Sequence, residues 1–221
     1  MPPMLMKFPP RKGYYKMIAI VDYGVGNLFS LQSSLRYIGK EVVVTREPET
    51  LRRSEKIILP GVGAFGDAAR KLSEAGLDIL LKEEAAKGKY LLGICLGMQL
   101  LFDRSYEYGE HRGLALIPGN VRPIQPVIPE EYKVPHIGWN ALIFPENRPK
   151  SPLFRYVSEG EAVYFVHSYY AADCAPYTIA SAEYGALLTA AAANGNVLGT
   201  QFHPEKSGET GLNILRAFCE L

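Results

Sequence analysis

The chain has 221 residues, of which 48% are hydrophobic and 21% charged, and its formal net charge is +1. This composition is typical of a globular protein, and the length allows one or two domains. The balanced charge, without long basic runs, argues against nucleic-acid binding, and no apolar run approaches the ~18 residues of a membrane span.

The start of the chain differs from the rest in composition. Residues 1–16 contain four prolines and no apolar segment of signal-peptide length. We expect them to form a disordered extension, because proline-rich segments rarely pack, and we expect 17–221 to form a single domain.

The three cysteines, Cys95, Cys174 and Cys219, are far apart and form no CxxC pair. This arrangement is typical neither of a disulfide framework nor of a zinc site. It favours the reducing cytoplasm.

The first half of the chain alternates short apolar runs with amphipathic segments. Strands are predicted at 17–22, 41–45, 56–59 and 90–94, and helices at 28–38, within 67–88 and at 96–102. Apolar strands that alternate with helices predict a parallel sheet with both faces covered.

The second half is richer in predicted strands, near 119–124, 134–135, 141–144, 161–166, 178–183, 187–192 and 197–202. Asn194-Gly195 is a hairpin signal between the last two, and a final helix is predicted at 210–220. The predicted fold is α/β: an open, mostly parallel central sheet flanked by helices, with added antiparallel strands in the second half.

The segment Gly93-Ile94-Cys95-Leu96-Gly97 lies between a predicted buried strand and a predicted helix. A G-x-nucleophile-x-G turn at such a junction holds the nucleophile above the sheet, and the glycines leave room for the tight backbone. The positive end of the following helix favours a thiolate. The alternative is a buried structural cysteine.

A thiolate nucleophile needs a group that moves protons. His203 and Glu205 flank Pro204 after the last predicted strand. The carboxylate can then orient one imidazole nitrogen while the other faces the nucleophile. Taken alone, the segment fits a solvated loop equally well, since only the fold can bring His203 to Cys95.

A glycine-rich loop, Pro60-Gly61-Val62-Gly63, follows the third predicted strand. Ligands of open α/β sheets bind at the carboxyl ends of strands. The glycines let the N–H of Val62, together with that of Leu96, point at a developing oxyanion. A simple strand-to-helix loop is the alternative.

The remaining histidines are ambiguous. His167 follows a predicted strand and either lines a site or packs in the core, His136 is predicted to lie in a turn, and His111 in a solvated loop at 103–112. No grouping has metal-ligand spacing, and neither a dinucleotide fingerprint nor a P-loop is present. We therefore expect no metal, nucleotide or other cofactor.

With these residues in view, residues 17–221 resemble class I, triad-type glutamine amidotransferases. Cys95 within GICLGMQ and His203 and Glu205 within HPE carry the general resemblance. Five further segments resemble the glutaminase subunits of imidazole glycerol phosphate synthase: 22–27 (DYGVGN), 60–65 (PGVGAF), 136–140 (HIGWN), 166–169 (VHSY) and 201–207 (QFHPEKS).

The resemblance implies a heterodimer in which the chain hydrolyses glutamine and passes ammonia to a (β/α)₈-barrel cyclase subunit. That subunit would make imidazole glycerol phosphate and aminoimidazole carboxamide ribotide in histidine biosynthesis. The implied triad is Cys95, His203 and Glu205, and Val62 and Leu96 match the oxyanion hole. Gly63, Gln99, His167, Ser168 and Tyr169 match glutamine-binding positions, and Asn27, Trp139, Tyr164 and Lys206 match positions that face the cyclase.

Two features depart from the family pattern: the extension 1–16, and the plain alanine run 190–193 before the hairpin. Three alternatives remain open. The chain could serve another class I enzyme, such as the glutaminase of anthranilate, guanylate or pyridoxal-phosphate synthase. It could also be a stand-alone Cys–His hydrolase or protease, or a catalytically silent binding subunit.

Overall fold

A computed structural model describes residues 15–221 of the chain. The expectation of a disordered extension concerns residues that lie outside this range, except for Tyr15 and Lys16. Those two residues belong to the first strand, which begins two residues earlier than predicted.

The centre of the structure is a seven-stranded sheet with the order β11-β12-β13-β4-β3-β1-β2. Five neighbouring strands from β13 to β2 are parallel, and β11 and β12 add an antiparallel edge. The seven strands are β1 (Tyr15–Val21), β2 (Val42–Thr45), β3 (Ser54–Leu59), β4 (Tyr90–Ile94), β11 (Thr178–Glu183), β12 (Leu187–Asn194) and β13 (Val197–Thr200). This mostly parallel sheet with an antiparallel edge confirms the predicted α/β fold class.

Helices cover both faces of this sheet and bury their apolar sides on it. On one face, α2 (Pro48–Arg53), α3 (Phe65–Glu74) and α4 (Leu77–Ala86) pack on side chains such as Ile57 and Leu91. On the other face, α1 (Leu28–Tyr37) and α6 (Gly208–Cys219) pack on Ile58 and Leu92. Consecutive strand residues thus enter opposite core layers, which explains why the strands are apolar throughout.

Two smaller sheets complete the described part of the chain. One has the order β10-β7-β5-β6 and the other pairs β8 with β9. Their strands are β5 (Arg104–Ser105), β6 (His111–Arg112), β7 (Asn120–Pro123), β8 (His136–Ala141), β9 (Ala162–His167) and β10 (Tyr169–Ala172).

Several predicted elements were wrong. The predicted strands at 134–135 and 141–144, and the turn assigned to His136, are replaced by the single strand β8, which β9 stabilises along its whole length. The predicted loop at 103–112 contains β5 and β6. The predicted helix 96–102 ends early, as α5 (Leu96–Gln99). Neither α2 nor β10 was predicted.

The alanine run that departs from the family pattern lies in β12, where Ala190, Ala191 and Ala192 are fully buried. Small side chains suit this position between two neighbouring strands of the central sheet. Within residues 15–221, no helix is long and apolar enough to cross a membrane.

Candidate active site

Cys95 lies at the turn between β4 and α5, where the chain leaves the sheet. Its φ of 55° falls in the left-handed region that non-glycine residues rarely adopt. Its N–H donates to the carbonyl of Thr200 on the neighbouring strand at 2.7 Å. Strain of this kind persists only where the surroundings enforce it, and it is common at nucleophiles.

Both glycines of the turn are required by close packing rather than by flexibility. A Cβ on Gly97 would lie 1.9 Å from the carbonyl oxygen of Leu59, and a Cβ on Gly93 would lie 2.5 Å from the carbonyl oxygen of Gly97. The end of β3 therefore lies directly against the start of α5. The predicted tight turn around Cys95 is confirmed by this geometry.

His203 and Glu205 form a buried pair beyond the end of β13. His203 Nδ1 lies 2.8 Å from Glu205 Oε1, and both side chains are 3% exposed. Pro204 begins a 3-10 turn over Pro204–Lys206 that places the two side chains on one side. Ser207 fixes this turn, because its hydroxyl donates to the carbonyl of His203 at 2.6 Å.

The other imidazole nitrogen of His203, Nε2, is buried without a hydrogen-bond partner among the described residues. Burial by itself lowers the pKa of His203, but the Cys95 sulfur and the Glu205 carboxylate outweigh it and raise the pKa above its usual range. The raised pKa favours the protonated imidazolium form of His203, which can donate a proton next to Cys95. The structure thus brings Cys95, His203 and Glu205 together, as the motifs required.

The glycine-rich loop after β3 lies against the turn that carries Cys95. The Tyr23 hydroxyl donates to the carbonyl of Pro60 at 2.8 Å, and a Cβ on Gly61 would lie 2.8 Å from the N of Gly97. Burial and the nearby Cys95 sulfur raise the pKa of Tyr23.

The second half of this loop is less constrained. Val62 is 42% exposed, and Gly63, with a φ of 95°, has open space where a Cβ would stand. The loop is therefore packed at Pro60 and Gly61 and more open at Val62 and Gly63, the two residues that the resemblance assigns to the oxyanion hole and to glutamine.

Gln99, His167 and Tyr169 meet near Cys95. Gln99 Nε2 donates to the carbonyl of Tyr169 at 3.0 Å, and His167 Nδ1 donates to the same carbonyl at 2.8 Å. Burial lowers the pKa of His167 to about 3, so its ring is neutral near neutral pH. Ser168, between β9 and β10, is half-buried.

Three residues near the site were not expected there. His136 is 1% exposed and its Nδ1 lies 3.0 Å from His167 Nε2, so it fixes the position of the His167 ring. His111 is half-buried in strand β6, with its ring 6.4 Å from that of Phe65 at the start of α3, so the predicted loop is wrong. Glu107 Oε2 accepts a hydrogen bond from the N–H of Phe65.

In the sequence, the only signal that could have identified Glu107 as a residue near the site is its negative charge. It also raises the pKa of Tyr169, after the larger effect of burial. A carboxylate is therefore placed between the glycine-rich loop and the segment 167–169.

Three of the four residues predicted to face a partner form one surface cluster. The rings of Trp139 and Tyr164 lie 6.0 Å apart, and Lys206 Nζ lies 5.9 Å from the centre of the Tyr164 ring. Trp139 is 55% exposed. Asn27 is not part of this cluster: its side chain accepts from the N–H of Ser30 and caps α1, which packs on the 3-10 turn 204–206.

The same surface is linked directly to His203, because the N–H of His203 donates to the carbonyl of Tyr164 at 3.0 Å. Among residues 15–221, no three His, Cys, Asp and Glu side chains are placed to hold a metal ion.

The family model for glutamine amidotransferase class-I matches residues 19–220. Imidazole glycerol phosphate synthase subunit HisH of Bacillus cereus is 49% identical over 203 residues, which cover 91% of this chain and 93% of that protein. The subunit of the same name from Oceanobacillus iheyensis is 47% identical over 206 residues, with 93% and 99% covered. The chain belongs to the class I glutamine amidotransferases, in the HisH group.

Solved structures agree with this assignment at the level of the fold. A crystal structure of a glutamine amidotransferase superposes with a TM-score of 0.70 at 19% identity, covering 91% of this chain and 97% of that one. The structure of PurLQS from Thermotoga maritima has a TM-score of 0.70 at 20% identity, covering 92% and 97%. The amidotransferase fold therefore underlies the site geometry described above.

Proposed function

We propose that this HisH-group amidotransferase hydrolyses the side-chain amide of glutamine through a triad of Cys95, His203 and Glu205. The observation that carries the proposal is the buried His203: Glu205 holds its Nδ1, its Nε2 makes no hydrogen bond within the described residues, and the Cys95 sulfur is close enough to raise the pKa of the ring. The other two cysteines of residues 15–221 lie in different surroundings: Cys174 contacts Thr178 and Thr189, and burial raises the pKa of Cys219 to about 11.

The reaction begins from the thiolate–imidazolium pair. The Cys95 sulfur attacks the carboxamide carbon, and the negative charge moves to the amide oxygen. The His203 imidazolium then donates its proton to the amide nitrogen, so that ammonia leaves and a γ-glutamyl thioester remains. Neutral His203 next takes a proton from water, the hydroxide attacks the thioester, and glutamate and the thiolate are released.

The developing oxyanion needs N–H donors. Leu96 is the first residue of α5. The first N–H groups of a helix have no intrahelical partner, so the N–H of Leu96 is free to donate to the oxyanion. Val62 supplies the second donor when the peptide between Gly61 and Gly63 turns toward the substrate. We propose that this turn happens in the exposed half of the loop, since its first half is fixed on the nucleophile turn.

Glutamine itself is held, in this proposal, by Gly63, Gln99, His167, Ser168 and Tyr169. Gln99 uses Nε2 for its bonds to Tyr169 and Gln201, which leaves its Oε1 to accept from the substrate. The substrate ammonium group also needs a carboxylate, and Glu107 is the one the structure places next to Tyr169.

As a HisH-group subunit, the chain works with a partner subunit. We propose that this partner is a barrel cyclase that uses the ammonia to make imidazole glycerol phosphate in histidine biosynthesis. The cluster of Trp139, Tyr164 and Lys206, together with Asn27, would form the docking surface, in a heterodimer that works in the cytoplasm. An exposed tryptophan with a tyrosine ring 6.0 Å away fits an interface anchor, because both residue types are enriched among those that dominate binding energy.

The test compares Cys95→Ala with the matched variant Cys219→Ser in the assembled synthase. Cys95→Ala should abolish glutamine-dependent synthesis and retain ammonia-dependent synthesis, because the thiolate is needed only to release ammonia. Cys219→Ser should retain both. Loss of both activities in a folded Cys95→Ala complex, or retention of the glutamine-dependent one, contradicts the proposal.

A further inference from the structure

Gln201 is a fully buried amide that the triad mechanism does not use. Its Nε2 lies 3.8 Å from the Cys95 sulfur, and its Oε1 lies 3.0 Å from Gln99 Nε2. The backbone on either side is anchored as well: the N–H of Gln201 donates to Ala190, and the carbonyl of Thr200 accepts from Cys95. The amide thus stands between the nucleophile and the glutamine-binding group, with little freedom to move.

The orientation of this amide follows from the atoms around it. A backbone carbonyl can only accept, so the Gln99 atom that faces the Tyr169 oxygen must be its NH₂ group. The second N–H of that group points to Gln201 and requires an oxygen there. The NH₂ group of Gln201 must therefore face the sulfur of Cys95. A flipped Gln201 would place NH₂ against NH₂ and oxygen against sulfur.

An N–H group aimed at a sulfur favours the charged thiolate, because hydrogen bonds to an ionised acceptor are about twice as strong as neutral ones. The other groups around Cys95 are the His203 imidazole, backed by Glu205, the Tyr23 hydroxyl, and the carbonyl of Val166, which lies 4.0 Å from the sulfur. That carbonyl accepts from the thiol but repels the thiolate. The N–H of Gln201 therefore counteracts the repulsion between the Val166 carbonyl and the thiolate, from the side of the sulfur where Gln99 lies.

We propose that Gln201 is a positioning residue of the nucleophile, holding the Cys95 thiolate through an N–H whose direction is imposed by Gln99 and Tyr169. This inference rests on Cys95 being the nucleophile, as proposed above. Because Gln99 also faces the substrate, the chain from Tyr169 through Gln99 and Gln201 connects the glutamine-binding segment to the sulfur.

The experiment measures alkylation of Cys95 by iodoacetamide against pH, followed by mass spectrometry of the Cys95 peptide. Gln201→Glu keeps the size but replaces the donor with a carboxyl group. It should move the midpoint of the pH–rate profile upward by about one unit and lower the glutaminase kcat about 10-fold or more, the scale of one hydrogen bond to a charged group. Gln201→Met removes the donor without adding charge and should move the midpoint in the same direction.

The matched control is Gln125→Glu in the 3-10 helix Gln125–Val127, which makes the same chemical change at an exposed side chain and should leave the profile unchanged. A purely structural role for Gln201 would lower thermal stability without moving the alkylation midpoint. A folded Gln201 variant with the wild-type midpoint overturns the proposal. If Cys95→Ala retained glutaminase activity, the proposed function would fail instead, which separates the two results.

A measurement on the unsubstituted chain covers the case in which both Gln201 variants unfold. The side-chain N–H signal of Gln201 in a nitrogen–proton NMR spectrum should move downfield in step with ionisation of Cys95. A signal that stays constant through that titration overturns the proposal.

Discussion

Substituting Gly97 by alanine adds one methyl group at the point where three parts of the active site touch. The added Cβ would lie 1.9 Å from the oxygen and 2.8 Å from the carbon of the Leu59 carbonyl. Ordinary contacts are about 3.5 Å, so the end of β3 or the start of α5 must move by on the order of 1 Å. Neither atom belongs to a side chain that can turn away.

Overpacking of this kind typically costs about 1–3 kcal/mol. For a chain of this size that corresponds to a fall in Tm of between about 2 and 12 °C. The displaced groups are Cys95 and the Leu96 N–H, and a 1 Å misplacement of reacting groups can cost about 10²-fold in rate. Gly97→Ala should therefore lower the glutaminase kcat much more than its loss of stability suggests.

Gly199→Ala is the matched control, because it adds a methyl group in the same core layer. Its Cβ would lie 2.5 Å from Cγ and 3.0 Å from Cβ of Met98, so a side chain must shift there, whereas Gly97→Ala meets the backbone carbonyl of Leu59. We expect a smaller fall in Tm and a glutaminase rate within about fivefold of wild type. The assays are calorimetric Tm and glutamate release by the assembled synthase. The reasoning is refuted if Gly97→Ala and Gly199→Ala behave alike in both.

Three further predictions follow from particular features of the chain. Because His167 stays neutral in the folded protein down to a pKa of about 3, the unfolded chain binds a proton that the folded one cannot as pH falls below about 6.5. The free energy of unfolding therefore rises with pH in that range. In urea unfolding between pH 6.5 and 4, wild type should lose about 1.4 kcal/mol of this free energy per pH unit more than His167→Asn. Equal pH dependence of the two proteins would contradict this. Deletion of residues 2–14 should leave Tm within about 2–4 °C of the full chain, the effect of ~1 kcal/mol, and a larger fall would show that the segment packs on the domain. The isolated chain should release glutamate slowly and be accelerated at least about 10-fold by the cyclase with its ribotide ligand, since one missing oxyanion donor costs about 10²–10³ in rate; rates within about threefold of each other would exclude such a switch.

The parallel core of the fold was predictable because its signals are local. Runs such as Ile57, Ile58 and Leu59 are buried on both faces, and their length and flanking turns identify strands without knowledge of the neighbours. The same holds for α1 and α6, whose apolar residues recur at helical spacing. The tight turn at Cys95 was predictable for a similar reason, since glycines flank it on both sides.

Elements that depend on a distant partner were not predictable. Strand β8 contains Gly138 and begins after a proline, which locally favours a turn, and only its pairing with β9 makes it a strand. Strands β5 and β6 have two residues each, too few to show a period. Helix α2 is mostly polar and buries only Leu51.

The candidate site was predictable in its motifs but not in its connections. His203 and Glu205 are near neighbours in sequence, so their pairing could be expected. The contacts of Gln201 with Gln99 and Cys95 join residues more than a hundred positions apart and depend on β13 lying beside β4. The catalytic, oxyanion-hole, substrate-binding and partner-facing roles assigned to the site residues all remain predictions.

The most direct test of the account is to trap the intermediate on Cys95. The assembled synthase is mixed with glutamine, quenched with acid within a turnover, digested, and analysed by mass spectrometry. The account predicts one γ-glutamyl group on the peptide that contains Cys95, and none on those that contain Cys174 or Cys219. A glutamyl group on another residue, or turnover of glutamine without any adduct under conditions that stabilise thioesters, would contradict it.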